Sequence, residues 1–428
     1  MIFNKTTAVV LCFAGLFFIS CGDKENNGSD TDNLTDADTD ADLDAEDEDA
    51  ADENGVESIE FNIPDDMTEI AGSSSKHYAF PDIVKLSTGG FMLAYRMGSG
   101  HAEDTGKIIA HYSDDALKWG DPEVIMDDNS IDDRDPSIAV LSDGSIAMNW
   151  FRYRYPADYT EPWMHHIMFS AGNKSGTQFA EPVQVDEGVF DLSGEAELND
   201  DGIWIDGDGN EVKVYASSSS VVESDGSIII PAYGGNSLNF NSMSKTPKGP
   251  VVFFVSNDGG ASWKMEPVEA QVPEYTWVQE PALLKIDEKT WILQVRTAYG
   301  ASPGAKGDLM QSVSNDGGLT WSAYKSLGFV AHAPELIRLD NGVIVSSFRW
   351  LDWGTSVNRE AVSMVYSLDE GGTWSDVIEI FDCGFAECGY PGMVELDNNR
   401  LAVVYYLPGG AGIGLKVIDF EKTLKFKK

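Results

Sequence analysis

Six stretches of this chain share one frame, and most begin or end on a side chain with chemistry in it. Each reads as a short strand, a turn and a second strand. They are Phe80–Arg96, Asp135–Arg152, Ser219–Tyr233, Glu280–Arg296, Ala333–Arg349 and Tyr390–Tyr406, and all but the third carry Pro as the second residue. In an antiparallel hairpin the start of the first strand lies beside the end of the second. Glu280 therefore falls near Arg296, Asp135 near Arg152, and Tyr390 near Tyr406. If the six hairpins point the same way round an axis, their ends converge on one face. That face would hold Arg96, Asp135, Arg152, Tyr233, Glu280, Arg296, Arg349 and Tyr390, with His101, Asp104, Arg134 and Arg359 added by loops. Two chemistries suit such a set. Arginine grips carboxylates with paired hydrogen bonds, which points to an anionic small ligand; the bland alternative is pairing with local acids such as Asp135 and Glu280. A tyrosine beside a carboxylate can act as a nucleophile, because a phenol left alone, with a pKa of about 10, stays protonated and needs a base.

These residues need a repeating scaffold, and a second repeat supplies it. Ser-Leu-Asp-Glu-Gly-Gly-Thr-Trp at Ser367–Trp374 recurs at Ser256–Trp263 and Ser314–Trp321, with a worn copy at Ser113–Trp119 and a faint one near Ser170. The starts are separated by 57, 86, 58 and 53 residues, so one period carries an insertion. Periods of this size mark a repeat architecture. Asp and Ser side chains bond the backbone of a tight turn and glycines supply positive φ. The closing Trp is an apolar wedge suited to the seam between repeats. Short strands alternate with Gly/Asp/Asn turns and no long amphipathic helix stands out, which predicts an all-β domain. Six copies of one hairpin predict radial repetition, a six-bladed β-propeller, with Ile59-Glu60-Phe61 closing the ring.

The flanks are of another kind. Residues 1–20 hold one early cation, Lys5, and an apolar run too short to span a membrane, which reads as an export signal. Ser20 directly before Cys21 predicts cleavage with lipidation of Cys21, and so a protein exported and anchored to a bacterial membrane. Residues 21–55 form an acidic tether; Gly22–Asn54 holds fifteen Asp and Glu against Lys24, too polar and self-repelling to fold. The body is 56–428. With 71 acidic against 29 basic side chains, a net charge of −42, nucleic acid is excluded as a partner. Cys383 and Cys388 are expected to form a disulfide in an exported protein. No metal site or cofactor is expected: Asp206-Gly-Asp208-Gly-Asn210 alternates oxygen ligands but lacks the downstream Glu of a calcium loop. The aromatic and basic run Phe151–Trp163 reads equally as a pocket wall or a surface loop.

From Tyr78 to Phe420 the chain resembles the sialidase (neuraminidase) superfamily, through its three Asp-box turns and the hairpin ends. In that superfamily tyrosine is the nucleophile on glycosides, since a neutral phenol is not repelled by a carboxylate on the substrate's anomeric carbon. The resemblance implies Tyr390 as nucleophile, Glu280 as its base, Asp104 as acid/base and Arg96, Arg296 and Arg359 as holders of the substrate's acidic group, with Arg349 a rival to Arg359. One departure stands out. The superfamily's Phe-Arg-Ile-Pro signature is Tyr78-Ala79-Phe80-Pro81 here, so Ala79 replaces one arginine of a three-arginine clamp. Arg134 is the available substitute, and His101 is a second candidate acid/base. The expectation is a monomeric exo-glycosidase of sialidase type acting on a terminal acidic sugar of a glycan. The alternatives are a lyase or other hydrolase on uronate-containing polysaccharide, and a propeller that binds glycan without turnover.

Overall fold

The Asp-box turns are built as their sequence demands. In the computed structural model, Ser256 Oγ donates to Asp258 Oδ1 at 2.8 Å and accepts from the Gly260 amide at 2.8 Å, and Ser262 Oγ donates to Asp258 Oδ2 at 2.6 Å. The turns at Ser314 and Ser367 repeat these bonds through Asp316 with Thr320 and Asp369 with Thr373. In the worn copy Ala116 takes positive φ, at 59°, and Asp115 accepts from the Leu117 and Lys118 amides. Each box tryptophan reaches the preceding repeat. Trp263 meets Phe169 edge-on at 5.0 Å, Trp321 meets Phe253 at 5.8 Å, and Trp374 Nε1 donates to Gln311.

Between the boxes the strands group into six antiparallel units, the first two of four strands each. The first holds His77–Lys85, Phe91–Gly98, Lys107–Ser113 and Glu123–Met126, and the second runs from Asp132–Val140 to Val183–Gln184. The third is built on Ser227–Gly235, Val251–Ser256 and Lys264–Pro267, with Val214–Ser217 and Val222–Ser224 on its inner side. The fourth and fifth share Lys325–Arg338, whose first half pairs with Asp308–Ser314 and second half with Ile344–Asp352, so the two form one seven-stranded sheet. The sixth joins Gly389–Leu396, Arg400–Tyr406 and Gly412–Lys425, with Val56–Asn62 as its outermost strand. Chain ends drawn from both termini thus complete one sheet, as expected for Ile59–Phe61. The described residues are 56–425 except 102–104, 129–130, 155–163, 187–196, 199–203, 206–213, 219, 236–250, 274–275, 300–306, 353–358 and 398; Ile59–Lys422 make one compact unit. The export signal, Cys21, the acidic tether, Asp104 and Asp206–Asn210 lie outside the described residues.

The inner strands contact one another in a cyclic series. Gly389–Leu396 lies beside His77–Lys85, which lies beside Asp132–Val140. Val214–Ser217 joins the second unit to the third, and Ser227–Gly235, Thr276–Lys285 and Lys325–Arg338 carry the series back to Gly389–Leu396. The seams are apolar: Leu401, Val403 and Tyr405 of the last unit are fully buried with Leu93 and Tyr95 of the first in one cluster. Carboxylates stitch the same seams. Asp82 accepts from the Ile138 amide at 2.7 Å, and burial raises its pKa to about 6.

Candidate active site

Five inner strands open on the same irregularity. At Phe80-Pro81, Asp135-Pro136, Glu280-Pro281, Ala333-Pro334 and Tyr390-Pro391, two residues of the inner strand stand opposite one residue of its partner. Proline suits the bulge because it has no amide hydrogen to lose from the ladder. The residue before it takes φ of 46–57° in all five cases. Such angles are uncommon outside glycine and cost roughly 1 kcal/mol or more each. Bulges of this kind re-aim a side chain. Here they bring Phe80, Asp135, Ala333 and Tyr390 to line one axial hollow, with Ser218 and Glu335.

Glu280 sits in the same place and ties the ring together. Tyr390 Oη donates to Glu280 Oε1 at 2.6 Å, Arg296 Nη1 donates to that oxygen at 2.6 Å, and the Ala333 amide donates to Oε2 at 2.8 Å. Residues 110 apart in sequence thus share a hydrogen bond across the axis. Burial, with the Glu280 charge adding to it, holds the Tyr390 phenol well above its ordinary pKa; Arg296 opposes this. The phenol is therefore protonated at any working pH, and its proton can only leave toward an adjacent base. Burial and then the Glu280 charge also raise the Tyr233 phenol. Asp135 is a buried carboxyl whose pKa is raised to about 7, first by burial and also by Glu280, against the pull of Arg134.

The described arginines nearest this site hold acids. Arg96 is fully buried and binds Asp132 at 2.6 Å through Nε and 3.0 Å through Nη2, with Nη1 on the Gly100 carbonyl. Gly106 permits this pair, since a Cβ there would run into Asp132 and Arg96. Arg134 lies 3.4 Å from Asp132 and 3.9 Å from Asp135, with its guanidinium over the rings of Phe80, Phe151 and Tyr153. Arg349 binds Glu360 at 2.7 Å and Glu387 at 2.9 Å.

Several expectations are corrected by these placements. Arg359 is not among the partners of Tyr390 and Glu280. It begins the third strand of its unit and is held by Glu379 and Asp382 of the outer strand, so Arg349, at the end of the second strand and opposite His332, is the arginine of the site. Arg96 is a buried half of an ion pair, with no face turned to a ligand. Arg152 pairs with Asp133 at 3.1 Å and not with Asp135, because the bulge shifts the register there. Ala79 is fully buried opposite Arg96. His101 packs edge-on against His77 and Phe80 and lies 3.9 Å from Glu387. Burial, with Arg134 next, lowers its pKa to about 3.

Two residues of the site escaped the sequence reading. Glu387 stands inside the loop closed by the Cys383–Cys388 disulfide, whose Cα atoms are 6.1 Å apart, and that clip presents it to Arg349. Its only sequence signal is its place between two cysteines. His332, one residue before a bulge, is buried, and desolvation with Arg296 and Arg349 keeps it neutral. The Pro recurring at the second position of five hairpins was the available sign of the bulges. Among the described residues no three His, Cys, Asp or Glu side chains are grouped as metal ligands.

Comparison with known proteins agrees with this architecture. A protein of unknown function from Dyadobacter fermentans is 20% identical, with a TM-score of 0.64, covering 85% of this chain and 99% of its own. A Penicillium chrysogenum alpha-L-arabinanase complexed with arabinobiose is 14% identical, with a TM-score of 0.56, covering 84% of this chain and 98% of its own. The NanB sialidase of Streptococcus pneumoniae is 12% identical, with a TM-score of 0.54, covering 84% of this chain and 70% of its own. Likeness at this identity establishes the fold, a sialidase-like β-propeller. No curated protein matched the sequence. The BNR repeat-like domain matches residues 89–403, nearly three-quarters of the sequence, and the chain belongs to that family.

Proposed function

We propose that this chain is a glycoside hydrolase that removes a terminal sugar from a glycan, with its active site at the mouth of a six-bladed propeller. The observation that carries the reading is the 2.6 Å hydrogen bond from Tyr390 to Glu280, with Arg296 on the same oxygen. Solved neighbours named as sialidase and as arabinanase support a glycosidic bond as the target.

In this reading Tyr390 Oη attacks the anomeric carbon as its proton passes to Glu280, and the glycosidic C–O bond breaks. A phenol with a raised pKa is a weak nucleophile until a base takes its proton. Arg296 stabilises the phenolate as it develops, which is the sense in which it opposes the raised pKa. The leaving oxygen takes its proton from Asp135, which burial keeps protonated up to about pH 7. Water then cleaves the tyrosyl–sugar bond, giving its proton to Asp135 while Glu280 returns one to the phenol. His101, neutral down to about pH 3, is not the acid. Asp104 keeps the place that the superfamily resemblance assigns it and is the rival to Asp135. The export signal and Cys21 would put the enzyme outside the cell on a lipid tether.

Tyr390→Phe tests the reading. It should abolish turnover across a panel of fluorogenic aryl glycosides, neutral and acidic, while circular dichroism shows an unchanged fold. Turnover at the native rate in that variant refutes the mechanism. Asp135→Asn should depress hydrolysis of sugars with poor leaving groups more than that of aryl glycosides, whose leaving oxygen needs little protonation. Equal losses on both would transfer the acid role to Asp104.

A further inference from the structure

We propose that the site takes an uncharged sugar, because the described guanidiniums nearest it are already engaged by acidic side chains of the protein itself. The proposal rests on the glycoside hydrolase reading and names the substrate class of that site. Arg96 holds Asp132, Arg296 holds Glu280, Arg349 holds Glu360 and Glu387, and Arg134 stands between Asp132 and Asp135. Four guanidiniums thus meet five acidic side chains of the protein. A substrate carboxylate would have to displace one of these acids, and a buried acid stripped of its partner is costly. It would also approach a protein whose net charge is −42, a field that disfavours anions.

A second observation points the same way. Among the buried side-chain atoms without a hydrogen-bond partner, Nε of Arg134 and of Arg296 are donors and Gln279 Oε1 is an acceptor, while Asp135 Oδ1 belongs to a carboxyl that holds a proton up to about pH 7 and can take either part. A carboxylate can only accept, and it would leave the Gln279 oxygen unmet. A sugar hydroxyl both donates and accepts and can satisfy either kind. Buried polar groups left unpaired discriminate strongly against ligands that cannot meet them.

The test is kcat/KM on matched aryl glycosides: each hexoside against the uronide differing only in the C6 carboxylate, and a sialoside beside them, at low and at high salt. The native protein should favour the neutral member by at least about tenfold, with a value for that member that salt leaves unchanged. A uronide or the sialoside preferred, with kcat/KM falling as salt rises, overturns the proposal and leaves the hydrolase reading intact. Turnover of no member, and no binding of any member by calorimetry, overturns both. Glu387→Gln supplies an independent reading: by freeing Arg349 it should shift the ratio toward the uronide and bring in salt dependence. A ratio that stays put, in a variant with native circular dichroism, shows that internal pairing does not set the preference and overturns the proposal.

Discussion

Asp132→Asn isolates the claim that arginines of this face serve the scaffold first. Asp132 and Arg96 are both fully buried and joined by two short bonds, and the third guanidinium nitrogen is on a backbone carbonyl. Asparagine preserves the volume, so no cavity forms. It removes the charge and turns one amide N–H toward a guanidinium N–H. Breaking a buried ion pair by removing one partner costs about 3–5 kcal/mol, a large share of the ~5–15 kcal/mol typical of a domain. Urea unfolding followed by tryptophan fluorescence should show the midpoint falling by about 1 M or more. The companion variant Arg359→Met removes a pair at the surface, where such contacts contribute about 0–1 kcal/mol; its midpoint should barely move. A loss below about 1 kcal/mol in Asp132→Asn, or equal losses in both variants, would refute the reasoning, because it would mean that Arg96 does not depend on Asp132.

Other outcomes follow from the same geometry. Folded Asp135 keeps a proton up to about pH 7, whereas the unfolded chain releases it in the ordinary carboxylate range. It therefore lowers stability progressively as pH rises from about 4 to about 7. Melting temperatures of Asp135→Asn should match the native protein at the acid end of that window and exceed it at the neutral end; parallel curves would contradict the assignment. If Asp135 is the proton donor, the alkaline limb of kcat/KM should lie near pH 7 and vanish in Asp135→Asn on activated substrates. Replacing both Cys383 and Cys388 by Ser should cost about 2 kcal/mol for so short a loop, measured by urea unfolding. It should also loosen Glu387, so that the double variant shifts toward acidic substrates as Glu387→Gln does.

Much of the scaffold could be read directly from the residues. The six hairpins appear where Phe80–Arg96 through Tyr390–Tyr406 marked them, and the box tryptophans lie at the seams. The meeting of Glu280 with Tyr390 was foreseen from hairpin ends converging on one face. The partners of the arginines were not foreseen. Arg349 and Arg359 sit ten residues apart in similar surroundings of sequence, yet one faces the hollow and the other an outer strand. The strand alternation that assigns faces is interrupted by the bulges, which moved Arg152 onto Asp133. Nor did the sequence show that Asp135 would hold a proton, since that depends on the depth of burial and on a neighbour from another unit.

By itself, then, the sequence determined the turns, the strands and their count of repeats, because each Asp-box closes through bonds spanning two to four residues. Such bonds form wherever that string of residues occurs. The charge state of the mouth was decided only in the folded ring. Arg96 finds its acid 36 residues away on a strand of the next unit, and Arg349 finds one 38 residues away in a disulfide-closed loop between two units. Desolvation and ion pairing depend on what surrounds a group in space, and that is the property a linear string leaves open.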